Sequence, residues 1–203
     1  MINFEHYNPT RIVFGKEQLH RLPALISEHT NGKKILIAYG GGSVIKTGLL
    51  DRIKAELEGF TVSEFGGIEA NPQFSTLIKG VEKAKNEAVD FILAVGGGSV
   101  IDGVKFMVGA YKYDGDPWDV LDRKEGCVFT KALPFGTILT LPATGSEANS
   151  GAVISREELK EKRTMGGPLF FPRFSLCDPT VVATLPERQI ANGIIDAYMH
   201  TLE

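Results

Sequence analysis

Gly40-Gly-Gly-Ser-Val-Ile45 occurs a second time in this chain, as Gly96-Gly-Gly-Ser-Val-Ile101, and the two copies decide the fold. Each copy follows a short apolar run, residues 35–39 or 91–95, and precedes a stretch with helical spacing. Strand, glycine-rich turn and helix together form a phosphate-binding arrangement, because free N–H groups and the positive end of the helix dipole face the anion. Each copy alone can be merely a tight turn, but two copies favour a ligand with more than one phosphate, such as a dinucleotide.

Strand and helix patterns alternate through the first half of the chain. Unbroken or alternating apolar runs predict strands at residues 11–14, 35–39, 61–65, 90–95, 135–141, 152–155 and 174–177. Apolar residues at four-residue spacing predict one helix over residues 44–57, and Asn71 and Pro72 predict another as its N-cap and first-turn residue. Residues 114–119 form a turn-rich connector in this scheme. The short links predict an α/β fold with a doubly wound, mostly parallel, Rossmann-like sheet.

A different pattern begins at Leu185-Pro186-Glu187, where a helix starts that continues to Glu203 without a C-terminal signal. We therefore expect two units. Residues 1–184 form a dinucleotide-binding α/β domain, and residues 185–203 form the first helix of a second, all-helical domain that continues beyond Glu203.

The composition excludes several classes of protein. A net charge of −3 and a pI near 5.9 argue against nucleic acid as the main partner. No apolar stretch approaches the roughly 20 residues of a membrane span, and residues 1–15 lack the apolar core of a signal peptide. Cys127 and Cys177 are too few for a disulfide framework and fit a reducing compartment. We expect a cytoplasmic protein.

The first glycine turn also bears on the choice of cofactor. A ribose 2′-hydroxyl is normally bound by a carboxylate near a strand end, yet the residues after Tyr39 are Gly40, Gly41, Gly42 and Ser43. The missing carboxylate leaves room for a 2′-phosphate, to which a serine hydroxyl and backbone N–H groups can donate. This arrangement favours NADP(H) over NAD(H).

Two polar groups near the carboxyl edge of the predicted sheet are open to two interpretations. Asp102, expected in the first turn of the helix that Ser99 starts, is either a residue favoured by the helix dipole or a polar contact to cofactor or substrate. The segment Thr140-Leu-Pro-Ala-Thr144-Gly-Ser-Glu-Ala-Asn149 is dense in hydroxyls and amides. It is either a capped turn, with Thr144 or Ser146 as N-cap, or a ligand-binding loop.

The last polar group is Asp196-Ala-Tyr-Met-His200 on the predicted C-terminal helix. Side chains four residues apart lie on one helical face, so Asp196 and His200 can reach one metal ion. A hydrogen-bonded Asp–His pair is the alternative. Two ligands are too few for a closed divalent-metal site, so any further ligands are expected beyond Glu203.

Taken together, these residues resemble the iron-containing (group III) alcohol dehydrogenase family, and within it the branch of NADPH-dependent aldehyde reductases and butanol dehydrogenases. The markers occur in order at residues 39–43, 96–102, 140–147, 185–186 and 193–203. Members are considerably longer, so the chain corresponds to the N-terminal half only. The resemblance implies an α/β dinucleotide domain followed by a helical metal-binding domain, with the active site in the cleft between them.

The family's activity is implied in the same way. It is hydride transfer between NADP(H) and an aldehyde/primary alcohol pair, with a divalent metal, iron or zinc, that polarises the carbonyl. Asp196 and His200 match the first two metal ligands and are the expected catalytic residues. The implied cofactor-binding residues are Gly40, Gly41, Ser43, Gly97, Gly98, Ser99, Asp102, Thr140, Thr144, Asn149 and Lys162. The resemblance also suggests a homodimer, with the strand at residues 11–14 as an edge that could pair.

Two alternatives remain at this point. Glycerol dehydrogenase and dehydroquinate synthase share the architecture, and a substrate panel would separate them from an aldehyde reductase. A non-catalytic remnant would bind NADPH without metal-dependent turnover. If the chain is instead part of an alcohol dehydrogenase, we expect it by itself to hold at most half of the metal site and to be inactive alone.

Overall fold

The computed structural model describes residues 7–202 together with Asn3 and Glu5. The outer ends of the two predicted domains, Met1 and Glu203, lie outside the described residues. The strands are β1 (Arg11–Phe14), β2 (Lys34–Tyr39), β3 (Thr61–Phe65), β4 (Phe91–Gly97), β5 (Phe135–Leu141), β6 (Ala152–Arg156), β7 (Glu161–Met165) and β8 (Phe174–Cys177). The helices are α1 (Leu22–Ser27), α2 (Ser43–Lys46), α3 (Leu49–Glu56), α4 (Phe74–Glu87), α5 (Gly98–Tyr111), α6 (Pro117–Leu121), α7 (Pro179–Val182) and α8 (Glu187–Leu202). Short 3-10 turns occupy Gln18–Arg21, Ser146–Ala148, Glu157–Leu159 and Pro168–Phe170.

Six strands form one sheet in the order β1-β8-β5-β4-β2-β3, and every neighbouring pair in it is parallel. All of the predicted strands form. Strand β6 lies outside this sheet and pairs in antiparallel fashion with β7, which the sequence analysis did not predict. The doubly wound, parallel α/β fold is confirmed.

Both faces of the sheet are covered, as a parallel sheet requires. Successive side chains of β4 point to opposite faces: Phe91 and Leu93 join a core with α1, α2 and α3, whereas Ile92 and Ala94 join a core with α4, α5 and α6. The run at the start of β4 is apolar throughout because both of its faces are buried. The sheet is therefore a rigid platform for the loops at its edge.

The strand order reverses direction between β4 and β2. The chain leaves β2 toward β3 at one side of the sheet and leaves β4 toward β5 at the other. In open α/β sheets a crevice forms outside the carboxyl ends of the strands at such a reversal, and ligands bind in it. Both copies of the glycine hexapeptide lie at this point, directly after β2 and at the end of β4.

The predicted single helix over residues 44–57 is wrong, because α2 ends at Lys46 and α3 begins at Leu49. Gly48 separates them with φ +71°, a left-handed conformation that ends a helix and that glycine adopts without strain. The apolar spacing does not continue through both helices: Val44 of α2 and Leu49 and Ile53 of α3 join one core, whereas Ile45 is exposed.

The predicted helix start at Asn71 and Pro72 is also wrong. Helix α4 begins at Phe74 with Gln73 as its N-cap residue, and Asn71 has φ +63°. The Ser155 N–H donates to the Pro72 carbonyl at 2.9 Å, and Gln73 forms a bridge with Ser155. Pairing with β6 thus keeps this segment extended for longer than its own sequence favours.

The connector at residues 114–119 is partly helical. The Asp116 carboxylate accepts a hydrogen bond from the Trp118 N–H at 2.9 Å and so starts α6, whose first residue is Pro117. Trp118 is buried against Phe74, with ring centroids 5.1 Å apart. The turn residues correctly indicated that the chain leaves α5 here. A short helix, α6, follows and contains the buried Trp118.

Helix α8 follows the sheet domain, starting at Glu187 as predicted within two residues. It contacts the end of β5, and only Gly193 among its described residues is buried. That α8 begins a second domain stays a prediction. None of the helices in the described part of the chain has the length and apolar character needed to cross a membrane.

Candidate functional site

A cleft of about 250 Å³ lies at the carboxyl edge of the sheet, where β2 and β4 end. Both glycine turns line it. Of the residues predicted to bind cofactor, those in its walls are Gly40, Ser43, Gly97, Gly98, Ser99 and Thr140. Two segments 56 residues apart in sequence therefore form one concave surface, as the dinucleotide interpretation requires.

The second turn is closely packed. Gly96 and Gly97 still belong to β4, and Gly98 is the first residue of α5, a helix of 14 residues. A Cβ on Gly98 would overlap Thr144 Oγ1, which places predicted cofactor residue Thr144 directly over the turn. The N–H groups at the start of a helix this long form a favourable site for a pyrophosphate.

The first turn is open. A Cβ on Gly41 or Gly42 would meet nothing within 4 Å, and Ser43 is exposed. Gly42 has φ +90°, so the turn depends on glycine for its backbone conformation and not for lack of space. Gly41 does not line the cleft itself; it lies beside Gly40, which does.

The polar segment that follows β5 forms a turn and also packs tightly on α5. Ser146 to Ala148 form a 3-10 turn after Gly145, and the Ser146 N–H donates to Thr144 Oγ1 at 3.3 Å. The N-cap residue is Gly145, which has no side chain to act as a cap, so the interpretation of Thr144 or Ser146 as N-cap is wrong. The exposed Asn149 ends the turn.

Asp102 is the fifth residue of α5, so its predicted place in the first turn is wrong. Its two carboxylate oxygens accept hydrogen bonds from Ser146 Oγ and, at 3.0 Å, from the Val153 N–H. Burial raises the pKa of this carboxyl and outweighs the effect of both hydrogen bonds and of the Lys105 charge. Asp102 thus ties the polar segment to α5, and a contact to cofactor stays a prediction.

Lys105 was not among the predicted site residues; it lies one helical turn after Asp102 and is 0% exposed. Its ammonium donates to Asn149 Oδ1 at 2.8 Å and to the Gly151 carbonyl at 2.7 Å. Burial lowers the pKa of Lys105 to about 8, against the opposing effect of the Asp102 and Glu147 carboxylates. The available signal was a lysine within an apolar helix, three residues after an aspartate.

Lys162 is linked to the second glycine turn through Asn71. Its Nζ donates to Asn71 Oδ1 at 2.8 Å, and the Asn71 N–H donates to Ser99 Oγ at 3.4 Å. The lysine lies on β7, exposed to solvent. Asn71 therefore links the β6–β7 hairpin to the second glycine turn through its side chain and its N–H group.

Asp196 and His200 lie on one face of α8, with Asp196 Oδ1 and His200 Nε2 3.9 Å apart and both side chains about half-exposed. A second cavity, of about 520 Å³, separates α8 from the segment after β5. Leu185 lines both this cavity and the glycine-turn cleft, so the two are neighbours. Gly193 allows the close approach, because a Cβ there would lie 2.6 Å from the Pro142 carbonyl oxygen.

The Asp196–His200 pair fits one part of a metal site. Two ligands that each bind one ion at about 2.1 Å are separated by roughly 3–4 Å, and carboxylate oxygen with imidazole nitrogen suits iron and zinc. Among the described residues, no three His, Cys, Asp or Glu side chains are grouped to hold a metal ion. The pair can therefore supply two ligands, and a complete site needs more.

The comparisons with known proteins agree with this arrangement. Residues 9–179 match the family model for iron-containing alcohol dehydrogenase. The chain is 47% identical to the NADPH-dependent aldehyde reductase YqhD of Escherichia coli and 47% identical to the probable NADH-dependent butanol dehydrogenase 1 of Bacillus subtilis, over 205 residues in each case. Both alignments cover 100% of this chain and 52% of the relative, so the chain spans about half the length of the curated relatives it matches.

Solved structures agree in the same way. The NADH-dependent butanol dehydrogenase A of Thermotoga maritima superposes with a TM-score of 0.93 at 40% identity, over 99% of this chain and 50% of that one. The structure of Escherichia coli YqhD gives a TM-score of 0.90 at 47% identity, over 99% of this chain and 51% of that one. The cofactor named for these relatives is NADH in some and NADPH in others. The family resemblance that the motifs indicated is confirmed: this chain belongs to the iron-containing alcohol dehydrogenase family.

Proposed function

We propose that the full-length protein is an NADP(H)-dependent aldehyde reductase that transfers hydride reversibly between the nicotinamide and an aldehyde/primary alcohol pair. The cleft formed by the two glycine turns carries this proposal. Both glycine turns line it at the carboxyl edge of a parallel sheet, an arrangement that suits a ligand with separated phosphates. The chain's share of the reaction is to hold the nicotinamide against the carbonyl carbon in a site shielded from water.

The preference for NADP(H) rests on the first turn. No carboxylate follows β2 before Ser43, so no side chain of this loop repels a 2′-phosphate. The carboxylate that does line the cleft is that of Glu69, whose Oε1 accepts a hydrogen bond from Thr76 Oγ1 at 2.6 Å. A measurement of kcat/KM with NADPH and with NADH tests this part of the proposal: at least tenfold preference for NADPH supports it, and preference for NADH overturns it.

Asp196 and His200 would hold the divalent metal together with ligands from outside this chain. When bound, such an ion acts as a Lewis acid that polarises the carbonyl oxygen of the substrate. Iron and zinc are both compatible with these two ligands. The family's description favours iron.

The test is His200→Ala in the full-length protein, with His20→Ala as the matched control. His20 is exposed on the 3-10 turn before α1, where its ring nitrogen lies 2.9 Å from the Glu17 carbonyl oxygen. We expect His200→Ala to lower the bound metal, measured by elemental analysis, and to abolish aldehyde reduction, while His20→Ala changes neither. Full turnover in His200→Ala would exclude the metal mechanism. NADPH binding without turnover in the wild type would instead indicate a non-catalytic protein.

The remaining parts of the proposal concern the substrate, the assembly and the compartment. A panel of aldehydes, glycerol and the dehydroquinate synthase substrate identifies the reaction class. We include a homodimer, because β1 is an edge strand with Ile12 and Phe14 exposed, and light scattering on the full-length protein tests it. Free Cys127 and Cys177 favour a reducing compartment such as the cytoplasm.

A further inference from the structure

Lys105 is the most unusual group in this molecule. It lies in α5 between Val104 and Phe106, and all three side chains are 0% exposed. A buried ammonium is strongly disfavoured unless it is paired and hydrogen-bonded. A lysine at this position therefore needs compensating contacts. Because an apolar residue would need none, its presence suggests a role in function.

The compensation is complete. An ammonium has three N–H donors and no acceptor. The three acceptors around Lys105 Nζ are Asn149 Oδ1 at 2.8 Å, the Gly151 carbonyl at 2.7 Å and Ser146 Oγ at 3.4 Å. Asp102 Oδ1, at 3.9 Å, balances the charge. All three acceptors lie between Ser146 and Gly151, in the connection from β5 to β6, so the lysine is directed wholly at that connection.

This contact determines which way the Asn149 carboxamide points. Because an ammonium can only donate, the atom that faces it must be the amide oxygen and not the NH₂ group. The Gly151 N–H donates to the same oxygen at 3.0 Å. With Oδ1 held by two donors, the NH₂ group is the part of the exposed Asn149 carboxamide that is left to donate to a ligand.

Asp102, which is also on α5, contacts the same connection. Its carboxylate accepts from Ser146 Oγ before Asn149 and from the Val153 N–H after it. The segment is therefore held to α5 on both sides of Asn149, and α5 is the helix whose first turn contains Gly98 and Ser99. The asparagine amide and the phosphate-binding turn are thus parts of one rigid unit.

We propose that Lys105 is a positioning residue for the nicotinamide half of the cofactor. It holds the Asn149 carboxamide with its oxygen toward α5 and its NH₂ group toward the bound cofactor, without touching the cofactor itself. This inference rests on the proposed function, since it takes the ligand to be a nicotinamide dinucleotide. Lys105 is not among the cofactor-binding residues that the family resemblance implies, and this inference gives it a role.

The test measures the NADPH dissociation constant by nucleotide fluorescence in the full-length protein, without substrate, for Lys105→Met, Asn149→Ala and the double variant. Loss of one hydrogen bond to the cofactor corresponds to about fivefold to tenfold weaker binding. We expect each single variant to show this loss and the double variant to be no weaker than the weaker single one. Lys85→Met is the control, because its ammonium donates only to the Tyr113 carbonyl on the surface.

Lys105→Met leaves Asp102 buried without its partner charge and can fail to fold. The variant Asp102→Asn/Lys105→Met removes both charges, so the role of Lys105 can be tested even if Lys105→Met alone does not fold. In that background, adding Asn149→Ala should change NADPH binding less than twofold, whereas in the wild type it weakens binding about fivefold to tenfold. A merely structural role for Lys105 would leave the effect of Asn149→Ala the same in both backgrounds.

The outcomes separate the inference from the proposed function. If the wild-type protein binds neither NADPH nor NADH, the proposed function is wrong and the inference falls with it. If the wild type binds NADPH and Lys105→Met binds it equally tightly, the inference alone is overturned. Additive effects of Lys105→Met and Asn149→Ala overturn it as well, because they show that the lysine does not act through the asparagine.

Discussion

The same six residues, Gly-Gly-Gly-Ser-Val-Ile, form two different structures in this molecule. In the first copy the glycines form an open loop after β2, and the Ser-Val-Ile part enters α2, which has four residues. In the second copy Gly96 and Gly97 extend β4, and Gly98 starts α5, which has 14 residues. Ile45 is 53% exposed, whereas its counterpart Ile101 is 0% exposed.

The residues that follow the hexapeptide account for the difference. After the first copy, Lys46-Thr47-Gly48 ends the helix at once through the left-handed glycine. After the second, a stretch from Val104 that is apolar except for Lys105 continues the helix through the core between the sheet and α4. The hexapeptide thus specifies a strand end and a turn, and its surroundings specify how long and how buried the helix is. A long helix gives the second copy the stronger anion site.

The largest expected contrast is between Ile101→Ala and Ile45→Ala. Removing the buried Ile101 side chain leaves a cavity and should lower the free energy of unfolding by about 2–5 kcal/mol. Ile45→Ala, at the exposed equivalent position, should change it by less than about 0.5 kcal/mol. Urea denaturation of the full-length variants measures both. Equal effects would show that the two copies are packed alike and would remove the basis of the comparison.

The next contrast concerns space around the glycines. Gly98→Ala places a methyl group against Thr144 Oγ1 and should lower the free energy of unfolding by about 1–3 kcal/mol through overpacking. NADPH binding should weaken too, because Gly98 and Thr144 both belong to the expected cofactor site. Gly41→Ala meets open space and should change stability by no more than about 0.5 kcal/mol. A fully stable Gly98→Ala would mean that Thr144 moves away readily.

A smaller effect is expected on the choice of cofactor at the first glycine turn. Gly40→Asp puts a carboxylate where a 2′-phosphate is expected, so the ratio of kcat/KM for NADPH to that for NADH should fall about tenfold, or about 1.4 kcal/mol. Gly40→Asn adds the same bulk without charge, including the contact of 3.1 Å between a Cβ and the Ile68 carbonyl oxygen, and should lower both values together. If the two variants behave alike, charge at the first turn does not select the cofactor.

Elements whose pattern is local in sequence were predictable, whereas elements that depend on contacts with distant residues were not. Apolar runs such as residues 91–95 identified the sheet, because a strand buried on both faces is apolar whatever its partners are. Strand β7 was missed because its residues are mostly polar and only its pairing with β6 makes it a strand. The predicted helix start at Asn71 failed for a similar reason, since Ser155, far away in sequence, holds the segment extended.

The residues of the candidate site were also predictable only where a local sequence pattern indicated them. The glycine turns and Thr140 were predictable because each lies at the end of a recognisable strand or directly after it, and residues of both turns line one cleft with Thr140. The contacts of Lys105 join residues 41 to 46 positions apart, so no local pattern could have indicated them. Asp196 and His200 were predictable as a pair from their spacing, which the 3.9 Å separation bears out. Their role as metal ligands stays a prediction.

The smallest expected effect tests why each copy needs its glycines. Gly42 has φ +90° with open space around it, so Gly42→Ala should cost about 1 kcal/mol through backbone strain alone. Gly42→Asn should cost less, because asparagine tolerates the left-handed conformation better than alanine. At Gly98, where packing and not φ is limiting, the order should reverse, since asparagine is larger than alanine and the overlap with Thr144 grows. Urea denaturation of these four variants therefore distinguishes a turn maintained by backbone conformation from one maintained by close packing. The same order at both positions would show that one physical cause governs both copies.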